Sequence, residues 1–265
     1  MKQKIRFNIL TKLFFPFLAF CTFLIIYTST AHGFTTAKGF VDELISPVTT
    51  KAREPLIIGS TLTSLIYLFR NNTSVPLQAE SIKHKPLGHT SIYGDYVGQL
   101  FPNALYFVAA GGYGLIAKNS TAIDNATQML FATLYSGAMV NVLKYTIREK
   151  RPDTDTRNSF PSGHSTTAFA FAAVVAQKHA WYWGTFSYAL ATFASYSRIN
   201  DNRHWLHDVI AGATLGLSYG LGICYLHDSN EDKDVNKNKN KTAIPTILIL
   251  PTSDNGAMIS YSYKF

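Results

Sequence analysis

Three polar clusters interrupt an otherwise apolar second half of the chain. KYTIREKRP runs from Lys144 to Pro152, PSGH from Pro161 to His164, and SRINDNRHWLHD from Ser197 to Asp208. Lys144, Arg151 and Arg198 offer positive charge, two of them as forked guanidiniums that match tetrahedral oxyanions. Ser162 adds a hydroxyl, and Gly163 opens a helix whose first N–H groups have no intrahelical partner and attract anions. Together these make a phosphate cradle, and the same charge would stabilise the oxyanion formed when phosphorus is attacked. His204 and Asp208 are four residues apart, the spacing that shares one face of a helix. A carboxylate on one imidazole nitrogen fixes the tautomer and leaves the other free to attack. His164 is placed to protonate a leaving oxygen. The chemistry expected is in-line attack by His204 on phosphorus, a phosphohistidine intermediate, and its hydrolysis by water.

For these clusters to meet, helices must carry them. Apolar helix-length segments recur at about 55–69, 100–117, 126–145, 162–177, 181–197 and 207–226, with no strand-rich core among them. This predicts an all-α fold, a helical bundle of about six helices. In an up-and-down bundle the end of the third helix, the start of the fourth, the end of the fifth and the start of the sixth lie on one side. The three clusters then face one cavity.

The ordered set Lys144, Arg151, Pro152, then Pro161, Ser162, Gly163, His164, then Ser197, Arg198, His204, Asp208 resembles the three-part signature of the type 2 phosphatidic acid phosphatase superfamily. That group includes lipid phosphate phosphatases, bacterial class A acid phosphatases and haloperoxidase relatives. The resemblance covers about residues 55–226 and is specific from Lys144 to Asp208. It implies a helical bundle, a phosphoric monoester hydrolase that uses no metal or other cofactor, and the roles given above: His204, His164 and Asp208 catalytic, and Lys144, Arg151, Ser162, Gly163 and Arg198 on the substrate phosphate.

Composition agrees with an anionic partner at a membrane. The 265 residues carry a net charge of +8, are 47% hydrophobic and only 15% charged, and basic excess favours phosphates and anionic lipids. Zinc-type Cys/His spacing and RNA-binding aromatic motifs are missing, so nucleic acid is not expected. Residues 1–31 combine basic positions with an apolar run and small residues, the pattern of a signal peptide or N-terminal anchor. The bundle is expected over 32–227, membrane-embedded, followed by a charged linker at 228–242 and a β-hairpin-like tail at 243–265. The expected setting is a bacterial cell envelope, in the inner membrane with a periplasm-facing site; the expected substrate is a phosphorylated lipid. A soluble or outer-membrane-associated periplasmic acid phosphatase and a non-enzymatic phospholipid-binding protein are the alternatives. Arg148, Lys150, Arg157 and Arg203 read as a solvated rim, His207 as a residue flanking the reactive face in a supporting or surface role, and Asp153 and Asp155 as loop residues that are solvated or paired with Arg157.

Overall fold

The computed structural model describes residues 37–241, 246–251 and 257–262, so the leader expected at 1–31 lies outside the described residues. Ten helices run in chain order: α1 (Ala37–Leu44), α2 (Ser46–Thr49), α3 (Arg53–Leu68), α4 (Ser74–His84), α5 (Ser91–Gly98), α6 (Phe101–Ala117), α7 (Ser120–Ile147), α8 (Gly163–Lys178), α9 (Trp181–Asn200) and α10 (Leu206–Lys241). The six expected segments are α3, α6, α7, α8, α9 and the first part of α10. The additional helices are short or polar, without the long apolar run used to find the others.

Local chemistry sets the boundaries. Asn119 caps α7, its side chain accepting from the Ala122 amide at 3.0 Å. Helix α7 stops at Arg148, which adopts a left-handed backbone (φ 53°) and turns the chain into the polar loop. Ser162 caps α8, accepting from the Ser165 amide at 3.5 Å.

The core of the bundle is built where α7, α8 and α10 meet. Met129, Ala132 and Tyr135 of α7, Val174 and Val175 of α8, and Tyr219, Ile223 and Cys224 of α10 form one buried cluster. Close approach of α10 to α8 depends on glycine at 212, 216 and 220, one per turn on one face. A Cβ at Gly212 would collide with the Ser162 carbonyl, at Gly216 with the Thr166 carbonyl, and at Gly220 with the Ala173 side chain. Small residues at such a seam let backbones touch, a packing mode suited to helices in lipid. Buried Glu43 of α1 accepts a hydrogen bond from the Tyr135 hydroxyl at 2.8 Å, docking the short N-terminal helix on α7.

Two compact units divide between Tyr225 and Leu226. The helical backbone of α10 continues to Lys241, across the segment expected as a linker. A nucleated helix gains one hydrogen bond for each residue it adds, so extension through polar sequence is inexpensive. The second unit also holds β1 (Thr246–Pro251) and β2 (Ala257–Ser262), paired antiparallel with Thr246 opposite Ser262 and Ile249 opposite Ile259. The two strands of the expected terminal hairpin pair in this way, and residues 252–256 lie outside the described residues.

Candidate active site

Helix order delivers the expected convergence. The end of α7, the start of α8, the end of α9 and the start of α10 stand together, and the Ser162 amide donates to the Asp208 carbonyl at 2.9 Å, tying the second cluster to the third. The loop between α7 and α8 is pinned by its own backbone: the Arg151 amide donates to the Thr156 carbonyl, and the Ser159 amide to the Glu149 carbonyl, both at 3.0 Å. Lys144 Nζ donates to the Asn158 carbonyl at 2.5 Å, and Arg151 Nε to Asn158 Oδ1 at 2.7 Å. One asparagine thus holds Lys144 and Arg151 of the first cluster. Asp153 pairs with Arg203 at 2.8 Å and Asp155 with Lys150 at 2.6 Å. Their main partners are these cations and not the expected Arg157.

His204 and Asp208 do meet, but not as neighbours on a helix. Helix α10 starts at Leu206, so His204 belongs to the turn before it. The carboxylate of Asp208 folds back over the helix start, where Oδ2 accepts the Trp205 amide at 2.9 Å. Oδ2 lies 3.6 Å from His204 Nδ1, a charge contact longer than a hydrogen bond. Ser159 fills the gap. Its hydroxyl donates to Asp208 Oδ2 at 2.5 Å, and its Oγ lies 3.4 Å from His204 Nδ1. With its own hydrogen committed to the carboxylate, Ser159 is left to accept the Nδ1 hydrogen, which leaves Nε2 unprotonated for attack. Burial is the largest influence holding the His204 imidazole below the usual histidine range, opposed by Asp208. A neutral ring is what a nucleophile requires.

Across the site, Arg198 is buried at the end of α9. It donates to Ser197 Oγ at 3.1 Å, to Asp201 at 3.3 Å, and to Asp95. Asp95, from α5, also lies 3.1 Å from His164 Nε2. Burial, then the Arg198 charge, push His164 down to about 4, while Asp95 holds it up. Burial likewise lowers Lys144 to about 8, reinforced by Arg151. Gly98 makes room for His164, since a Cβ there would stand 2.8 Å from the histidine Cβ. A Cβ on Gly163 would meet nothing within 4 Å, so this helix start is open to a ligand. Ser162 is buried, and its oxygen accepts from Ser165 Oγ at 3.2 Å as well as from the Ser165 amide, so its visible task is capping.

Three participants escaped the sequence reading, Asp95, Ser159 and Glu149, and a fourth, His207, was read only as a flanking residue. The last is buried and central. Its Nε2 lies 3.0 Å from Glu149 and 3.4 Å from Asp208 Oδ1, and its Nδ1 lies 3.3 Å from Ser74 Oγ. Tyr67 packs edge-on against its ring and Phe160 stacks on it. Glu149, His207 and Asp208 also present metal-ligand atoms within 4.8 Å of one another, a compact set that the linear spacing did not suggest. In this arrangement His207 Nε2 sits between the two carboxylates. No signal short of the fold links residues 74, 149 and 208.

Comparison with known proteins follows this geometry. Residues 125–232 match the sequence family described as the PAP2 superfamily. A lipid A 1-phosphatase of Porphyromonas gingivalis is 35% identical over 136 residues, covering 50% of this chain and 30% of the relative. A lipid A 1-phosphatase of Rhizobium johnstonii is 30% identical over 152 residues, covering 49% of this chain and 62% of the relative. The match therefore spans less than two thirds of the length of these relatives. The crystal structure of a transmembrane PAP2-type phosphatidylglycerolphosphate phosphatase from Bacillus subtilis shares the fold, with a TM-score of 0.54 at 20% identity, covering 69% of this chain and 96% of that one.

Proposed function

We propose that this chain, whose residues 125–232 match the PAP2 superfamily, is a metal-independent phosphatase that hydrolyses a lipid-linked phosphate or diphosphate through a phosphohistidine on His204. The observation that carries this reading is the line from Asp208 through Ser159 to His204 Nδ1, which leaves Nε2 as the free nitrogen of a ring whose surroundings include the charges of Lys144 and Arg151. Those cations hold the phosphoryl oxygens and take up the charge that develops in the transition state. Nε2 forms the N–P bond as the P–O bond to the lipid breaks, and the protonated form of His164, which burial and Arg198 disfavour and Asp95 supports, gives its proton to the departing oxygen. Water then attacks phosphorus, His164 takes a proton from it, and inorganic phosphate leaves His204 neutral.

A membrane setting is supported by the apolar surface. Leu206–Ser229 is long and apolar enough to cross a membrane, and residues 88–98 with Phe101–Ala117, bent by 45°, pass the same test as a pair. Large apolar side chains such as Ile58, Leu68, Phe101 and Ile116 point outward. Trp181, Tyr182, Trp183 and Phe186 form an exposed aromatic group at the opposite end of α8 and α9 from the site, as at a membrane–water interface. The reading places the protein in a bacterial inner membrane with its site facing the periplasm. Phosphatidic acid, phosphatidylglycerol phosphate, an isoprenoid diphosphate and a lipid A phosphate are the substrates to assay. In detergent micelles H204Q should abolish phosphate release from whichever of these the unaltered protein cleaves. Full activity in H204Q would overturn the assignment.

A further inference from the structure

The loop that delivers Arg151 to the site also builds a second cationic cavity on its other side. Arg148, Lys150 and Arg157 of the loop face Arg70, at the end of α3, across about 540 Å³. Arg151 and Trp205 line it as well, so it adjoins the residues next to His204. The charge is poorly compensated. Glu149 is the one acid in the lining, and its carboxylate is turned inward to His207 at 3.0 Å, with Arg70 3.9 Å away. Lys150 is paired with Asp155, whereas Arg148 and Arg157 are exposed and take part in no salt bridge among the described residues. Arg70 lies over the Tyr67 ring, 5.4 Å from its centre, which fixes its direction. A second, largely apolar cavity of about 390 Å³ shares Tyr67, Ile147 and Glu149 with the first and adds Leu68 and Phe160.

We propose that this cavity is a subsite for a second anionic group on the same lipid. The preferred substrate is then an amphiphile with two separated phosphates or a phosphate and a carboxylate. One phosphate lies on Lys144, Arg151 and Arg198, the headgroup crosses Trp205, and the second anion reaches Arg148, Arg157 and Arg70. An acyl chain leaves along the neighbouring apolar cavity. Arg148 and Arg157, exposed and outside any salt bridge among the described residues, are suited to bind an oxyanion at two points each, and a part of the substrate remote from the reacting bond then contributes to its capture. This rests on the phosphatase reading above but concerns a different set of side chains.

The test compares a lipid with two separated phosphomonoesters and its analogue with one, both in neutral detergent micelles, on the unaltered protein and on R148Q/R157Q. Loss of charge-assisted contacts should raise KM for the doubly phosphorylated lipid about tenfold or more, with kcat and the constants for the single phosphate unchanged. Equal effects on both lipids, or none on either, would overturn the subsite. Repeating the assay with added phosphatidylglycerol separates a membrane contact: a penalty that follows the bulk anionic lipid and not the second phosphate also overturns it. Added inorganic phosphate should compete more weakly in R148Q/R157Q if free phosphate fills the cavity; competition there without discrimination between the lipids would assign it to free phosphate and overturn the proposal. Equilibrium binding of the two lipids to H204Q keeps the question separate from catalysis. Discrimination there with no turnover by the unaltered protein would leave the subsite standing and remove the phosphatase reading.

Discussion

Lys144 and His164 show how burial sets the working range of single residues in this site. On the proposed chemistry Lys144 must be charged to hold phosphate, and burial, with Arg151 beside it, lowers its ammonium to about 8. The group acts in its protonated form, so kcat/KM should fall as pH rises through about 8. In K144R the guanidinium stays charged over this range, and the alkaline limb should move upward. A limb that stays at the same pH in K144R would belong to another group. Asp95 makes a different prediction, because its carboxylate both holds His164 up and neutralises Arg198. D95N should lower kcat about tenfold, a fraction of what a general acid contributes. The same change should lower KM as Arg198 is freed for substrate. A rise in KM in steady-state assays would contradict this division of roles. The types and spacing of Lys144, Arg151, Arg198, His204 and Asp208 were legible in the linear sequence because each lies in a short cluster. Asp95 was not, since its partner Arg198 is chosen only by the packing of α5 on α9, and Ser159 reads as an ordinary loop serine until it is seen between His204 and Asp208.

Elements are held in register mainly by what their seams lack. The glycines at 212, 216 and 220 let α10 lie against α8, and the same contact aligns Asp208 with the Ser162 amide. G216A puts a methyl group against the Thr166 carbonyl, so α10 must shift or the contact must open. Overpacking of this kind costs about 1–3 kcal/mol, and thermal unfolding in detergent should show a lower midpoint. Phosphate release should fall in parallel, because the shift is transmitted to the start of α10. A G112A control, where a Cβ meets nothing within 4 Å, should leave both unchanged. Periodicity located the long helices because each carries a continuous apolar run. It missed α4 and α5, and with them Ser74 and Asp95. Helix α4 is polar, and the eight residues of α5 are too few for a period to show.

In the helical unit that ends at Tyr225, the polar site lies at one end of α9 and an exposed aromatic group at the other. Trp181, 79% exposed at the start of α9, stands at the opposite end from Arg198. Twenty residues of α9 separate the two ends, and at the α-helical rise this spans about 30 Å, the hydrocarbon thickness of a bilayer. If the aromatic end marks one interface, the loop carrying Lys150 and Asp155 marks the other, in water. The basic residues of that loop do not by themselves select a side, since anionic headgroups are present at both faces. The periplasmic face is the one proposed, from the family resemblance and not from the charge of the loop. Asp155 is the position to test, being 97% exposed with its carboxylate held only by Lys150 and the nearby Arg157. D155C, with Cys21 and Cys224 changed to serine and alanine, should be labelled in intact spheroplasts by a membrane-impermeant maleimide, and phosphate release should survive the substitution. Labelling that requires lysis would place the site on the cytoplasmic face, while retained phosphatase activity in the same preparation would leave the chemistry assigned to His204 untouched.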